Sequence, residues 1–116
     1  MRYDAFKNGA PRQIMAGLGD PRFLDALETA SSYDMLRKMI IKLNDRVDHG
    51  CFSAAAKRYA GVSSSGEREL LKGLLLLCDF RHVADEIAGA SAYTDMTRIG
   101  GDFRQAFASC VLNAPI

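Results

Sequence analysis

Residues 69–78, Glu-Leu-Leu-Lys-Gly-Leu-Leu-Leu-Leu-Cys, constrain this chain more than any other stretch. Leu70, Leu74 and Leu77 fall on one helical stripe, which Ala84 and Ile87 extend. Leu71, Leu75 and Cys78 widen it until little of the circumference is polar. A helix apolar on most sides has to be surrounded. The pattern therefore predicts a long helix over Glu67–Ala88 at the centre of a bundle. Asp79 is its weak point, because Asp favours caps over helix interiors. Ser64 and Glu67 have the spacing of a capping box, which fixes where the helix begins. The longest unbroken apolar run, Leu74 to Cys78, is far shorter than the roughly 20 residues a membrane helix needs, so no membrane association is expected.

The other elements follow from the same periodicity. Tyr33, Leu36, Met39, Ile40, Leu43 and Val47 repeat in steps of three and four, predicting a helix over 33–48. Ser31 or Ser32 caps it, and Gly50 ends it. Asp34, Arg37, Lys38, Lys42, Asp45 and Arg46 take its solvent side. Asp20-Pro21 opens a helix over 21–30, Asp as cap and Pro in the first turn. Phe52–Ala60 is a short alanine-rich helix stopped at Gly61. Asp102 caps a last helix over 103–112, with Phe103, Phe107, Cys110 and Val111 inward, and Pro115 bars its continuation. Thr94–Ile99 offers one turn more. Residues 1–19 read as an irregular N-terminal segment, since Gly9, Pro11, Gly17 and Gly19 interrupt them; a short helix from Pro11 or Arg12 is compatible. No alternating strand pattern or hairpin turn occurs. The expectation is an all-α chain: a compact single-domain bundle of five or six helices over residues 20–116.

At 116 residues the chain is one domain by length. Charge is balanced at +1 overall, with no basic stripe of the kind that grips a nucleic-acid backbone. Cys51, Cys78 and Cys110 are an odd number without C-x-x-C spacing. With no basic-then-apolar leader at the start, they read as free thiols in a cytoplasmic protein.

One stretch suggests DNA. His49-Gly50-Cys51-Phe52-Ser53-Ala54-Ala55-Ala56-Lys57-Arg58, followed by Gly61-Val62-Ser63, resembles the opening of the LysR-type winged helix-turn-helix over about 25 residues. That resemblance implies Ser64, Ser65, Arg68 and Lys72 at the groove, with Lys57 and Arg58 on phosphates. Three departures weigh the other way. The alanines stand one residue too far from the Val-Ser pair, and one residue turns a helix by about 100°. Glutamate occupies position 67, where an apolar lock is needed. Arg68 and Lys72 are matched by Glu67 and Glu69, leaving little net charge for phosphates.

Chemistry-bearing residues are sparse. Asp79, His82 and Glu86 share one helical face, and His49 and Cys51 are the nearest candidates for completing a metal site with His82 and Asp79. The plainer reading is a solvated polar face that also takes Lys72. No nucleophile elbow, zincin motif or phosphate loop is present. No catalytic residue, cofactor or metal site is therefore expected. The apolar sector of the 33–48 helix, broadened by Met35 and Ile41, is wider than one neighbour requires. The leading expectation is a small non-catalytic module that binds another protein, a second copy included, and acts as an adaptor, inhibitor or self-associating regulator. The alternative is a divergent helix-turn-helix regulator that binds DNA.

Overall fold

The computed structural model describes residues 1–88 and 101–115. The 94–99 expectation and Met96 lie outside them. Among the described residues there is no strand, and eight α-helices are present rather than five or six. They are α1 (Tyr3–Lys7), α2 (Ala10–Gly17), α3 (Pro21–Thr29), α4 (Tyr33–Lys42), α5 (Cys51–Ala60), α6 (Ser65–Leu77), α7 (Arg81–Ala88) and α8 (Gly101–Asn113). A π-helical turn, Leu43–Val47, continues α4.

The larger number of helices comes from both ends of the reading. Residues 1–19 are not irregular: they hold α1 and α2, and they belong to the core. Phe6, Ile14 and Met15 are fully buried. The Tyr3 hydroxyl donates to the Leu27 carbonyl at 2.7 Å. Pro11, read as punctuation, sits in the first turn of α2, where its missing N–H costs nothing. Gly17 lets α2 approach α5, because a Cβ there would stand 2.5 Å from Tyr59 Cε2. At the other end, the long 67–88 helix is two. The amide of Phe80 donates to the Leu75 carbonyl at 2.7 Å and that of Asp79 to Leu76 at 3.2 Å. Asp79 itself has φ +69°. This is a Schellman stop with aspartate in the left-handed place that glycine usually fills.

The centre is α6. Leu70, Leu71, Leu74, Leu75 and Leu77 have no solvent exposure. Their burial could contribute on the order of 10 kcal/mol of gross transfer free energy, most of it offset by chain ordering. The capping box is formed: Ser64 Oγ accepts from the Glu67 amide at 3.3 Å, and Glu67 Oε1 accepts from the Ser64 amide at 2.8 Å. Helix α8 runs alongside α6 in the same direction. Gly73 lies against Phe107 and Cys110, and Leu76 borders Val111 and Ala114. Phe52 bridges the layers, its ring 5.2 Å from both Phe23 and Phe80.

Helix α4 departs from its stripe at the π turn. Widening the turn inserts an extra residue, so the side chains beyond it rotate. Val47, expected inward, is 57% exposed, and Asn44 is buried instead. Gly50, at φ +80°, has no side chain to cap α5. Asn44 Oδ1 does so from outside, accepting from the amides of Phe52 at 3.0 Å and Ser53 at 3.1 Å. Arg37, expected in solvent, lies half-buried. Its Nε donates to the last carbonyl of α6, Leu77, at 2.8 Å, and its Nη2 to the last carbonyl of α8, Asn113. One guanidinium thus caps two helix C-termini. In α8, Asp102 lies inside the first turn rather than before it. Val111, expected inward, is 49% exposed, because the buried stripe runs through Ala106, Phe107, Ser109 and Cys110.

Candidate functional site

Helices α5 and α6 do make a helix, a turn at 61–64 and a second helix, so the helix-turn-helix expectation can be followed residue by residue. Ser64 and Ser65 are exposed, but Ser64 is occupied as the cap of α6. Lys57 is exposed and paired with Glu86 of α7 at 2.8 Å. That ion pair holds the Glu86 carboxyl below its usual range. Arg58 is exposed and reaches back to the Leu18 carbonyl at 3.4 Å. Arg68 is exposed and lines an open cleft with Lys57, Ala60, Gly61, Glu86 and Ile87. Lys72 is not on this surface at all.

Lys72 is the clearest correction. Expected on a solvated face, it has a side chain only 4% exposed, and that of Glu69 is 1% exposed. The ammonium donates to Glu69 Oε1 at 2.6 Å. Glu69, Lys72, Gly73 and Leu76 share the helical stripe that Gly73 turns toward α8. The pair is therefore drawn under the second helix, and its two charges cancel where water is excluded. Glu69 Oε2 has no hydrogen-bond partner among the described residues. Glu67, the residue that breaks the family's apolar lock, works as a polar one. Its Oε2 accepts from Gln13 of α2 at 2.9 Å and from the Tyr59 hydroxyl of α5 at 3.1 Å. Hydrogen bonds, those of Ser64 first, hold the Glu67 carboxyl below its ordinary value. Burial, with the bond to Glu67 second, pushes the Tyr59 hydroxyl up to about 12.

The His/Asp cluster is partly assembled. His49, Asp79 and His82 line one polar cleft of about 400 Å³ together with Asp45, Asn44 and Ser53. Cys51 is turned away, its Sγ toward the Leu43 carbonyl at 3.7 Å. Among the described residues no group of three or more His, Cys, Asp or Glu side chains is placed to hold a metal ion. Asp79, His82 and Glu86 are exposed, as a solvated face requires. All three cysteines are free thiols. Burial raises Cys78 to about 12 and Cys110 well above its ordinary value, so neither is a thiolate near neutrality.

The broad apolar sector of α4 is mostly spent inside. Met39 and Ile41 pack against the core, while Met35, at 37%, and Val47, at 57%, remain exposed. A second exposed apolar surface lies further along the sequence, on α8. Leu112 is 81% and Val111 49% exposed at the C-terminal end of α8. Beside them Leu76, Val111, Ala114 and Pro115 line a groove of about 470 Å³ between α7 and α8, rimmed by Arg81 and Asp85. Arg81 Nη2 donates to the Pro115 carbonyl at 2.7 Å, which ties the end of α8 to α7. Asp85 has no ion-pair partner among the described residues, and Arg81 and Asp85 do not pair with each other. Periodicity alone missed this surface because it placed Val111 in the core. Leu112, an apolar residue outside the Phe103–Phe107–Cys110 stripe, is the one local sign that this end of α8 exposes apolar surface.

No helix among the described residues is long and apolar enough to cross a membrane. No family model, no characterised protein and no solved structure matches the chain.

Proposed function

We propose that the chain is a small non-catalytic module that binds another protein through the groove between α7 and α8. The observation that carries this reading is Val111, half-exposed on the wall of that groove beside Leu76, Ala114 and Pro115. Large apolar side chains standing in water beside a concave apolar floor are the usual mark of a recognition surface. The balanced charge supports protein rather than polyanion as partner. The free thiols fit a reducing, cytoplasmic setting.

The alternative, DNA binding through α5 and α6, retains exposed Lys57, Arg58, Ser64, Ser65 and Arg68 but loses Lys72. Lys57 is already committed to Glu86, and the leucines of α6 point into the core. The docking reading is therefore preferred. The test is retention of partners from native lysate by the wild-type chain and by Val111→Glu, side by side. A partner held by the first and lost by the second supports the reading. Retention indifferent to that substitution, or salt-dependent retention of nucleic acid alone, removes it.

A further inference from the structure

The π turn that continues α4 does two things to the surface. It turns Val47 out of the core, onto the wall of an apolar groove of about 360 Å³ between α3 and α4. Ala26, Met39 and Leu43 line the same groove. It also realigns charge. Over eight residues a continuous α-helix would rotate Arg46 about 80° away from Lys38. The wider turn takes up less rotation per residue and brings Arg46 back. Lys38, Lys42 and Arg46 accordingly line one cleft of about 270 Å³, which Ile41 completes and no carboxylate enters. Lys42 borders both the cleft and the groove. Lys38 is paired with Asp34 at 3.0 Å, whereas Lys42 and Arg46 have no ion-pair partner among the described residues. The opposite wall of the groove offers Asp25 and an Arg22 already taken by Asp20 and Asp48.

An apolar trough with cations along one side calls for an occupant of the reverse pattern. We propose that this face docks an acidic amphipathic helix of a partner protein, lying along α4. The three cations span about 12 Å of helix. Acidic residues four apart on the partner repeat at the same step of about 6 Å, so each carboxylate meets a cation. Apolar residues beside them on the partner helix enter the groove against Val47. A nucleic acid fits less well. Three charges make a short row for a phosphate backbone, the groove next to them is apolar, and Asp25 borders it. This face is separate from the α7–α8 groove, and the proposal stands apart from the reading given to that groove.

Titration of the full chain with three synthetic helical peptides, followed by amide NMR shifts, tests it. The first peptide carries glutamates four apart beside a leucine stripe. The second has lysines in place of the glutamates, and the third has serines in place of the leucines. The first saturates, with shifts concentrated in residues 22–29 and 38–47. The second and third each bind about tenfold more weakly or worse. Lys42→Glu combined with Arg46→Glu reverses the choice: the glutamate peptide is lost by about tenfold or more, and the lysine peptide is gained. Both positions are exposed, and a gain of binding cannot come from misfolding. Val111→Glu leaves every titration unchanged. Absence of saturable binding by the glutamate peptide, shifts centred elsewhere, or a preference that survives the double substitution overturns the proposal. Inorganic polyphosphate binding the same amides as tightly as the glutamate peptide overturns it too, in favour of a polyanion site. If the peptide fails while Val111-dependent capture persists, this proposal alone falls; the converse removes only the α7–α8 reading.

Discussion

Asp79 is the one non-glycine residue at positive φ among the described residues, and it ends α6 at a position where aspartate is strained. Replacing it with glycine removes the steric conflict and keeps the Schellman bonds. Asp79→Gly is expected to stabilise the fold by about 0.5–1 kcal/mol, read from chemical denaturation. Asn44 is the opposite case, a residue whose side chain does what its neighbour Gly50 cannot. Asn44→Ala leaves two amides of α5, that of Phe52 buried and that of Ser53 partly so, without acceptors and is expected to cost about 1–3 kcal/mol in the same measurement. Glu67 joins three helices as a carboxylate. Its folded-state pKa is depressed below the ordinary 4.5, so its contribution is present above that value and lost as pH falls through the folded one. Glu67→Gln should be less stable than wild type at neutral pH, with the gap closing as the solution is acidified below about 4.5; a gap independent of pH would contradict the role given to the charge.

Contact between α6 and α8 decides how the elements pack. Gly73 allows it: a Cβ there would stand 3.1 Å from Phe107 Cδ2 and 3.2 Å from Cys110 Cβ. Alanine gains up to about 1 kcal/mol of helix propensity, but the Cys110 Cβ cannot yield without its helix, and overpacking costs about 1–3 kcal/mol. Gly73→Ala is therefore expected to be net destabilising. On the same stripe, Lys72→Met strands the Glu69 carboxylate inside and should cost about 3–5 kcal/mol, whereas pairing it with Glu69→Leu should recover most of that loss. Unfolding midpoints of the two single variants and the double variant check both statements. The elements themselves were largely readable. Asp20, Ser32 and the Ser64–Glu67 box cap their helices as the spacing implied. What escaped was tertiary. A buried Lys at helical offset from Glu has the same local signature as a solvated pair, and only the position of α8 tells them apart. Likewise, nothing local to Leu43–Val47 announces a π turn, because its reason is the uncapped start of α5, several residues on.

Among the described residues, most of the apolar side chains go into one core. The molecule's radius of gyration is 12.6 Å, close to the about 13 Å usual for a domain this long. The glycines and the proline that made residues 1–19 look irregular are what let α1 and α2 fold back tightly, and their aromatic and aliphatic residues complete that core. The candidate site was far less legible than the fold. The residues expected at DNA are divided between a capped turn, an ion pair and the interior, and exposed apolar side chains stand on α8 as well as at Met35 and Val47. A surface of this kind is defined by which residues the packing leaves over, and that is a property of the finished fold. The central claim is that α6 turns its leucines inward, so that recognition falls to the end of α8. Amide hydrogen exchange, followed in the free chain and with a captured partner bound, reads both halves of it. Amides 70–77 should be the slowest in the chain, opening only with global unfolding. Amides near Val111 should exchange readily in the free chain and slow when the partner is bound. Fast exchange along α6, with protection appearing on α5 and α6 only when DNA is added, would contradict the account.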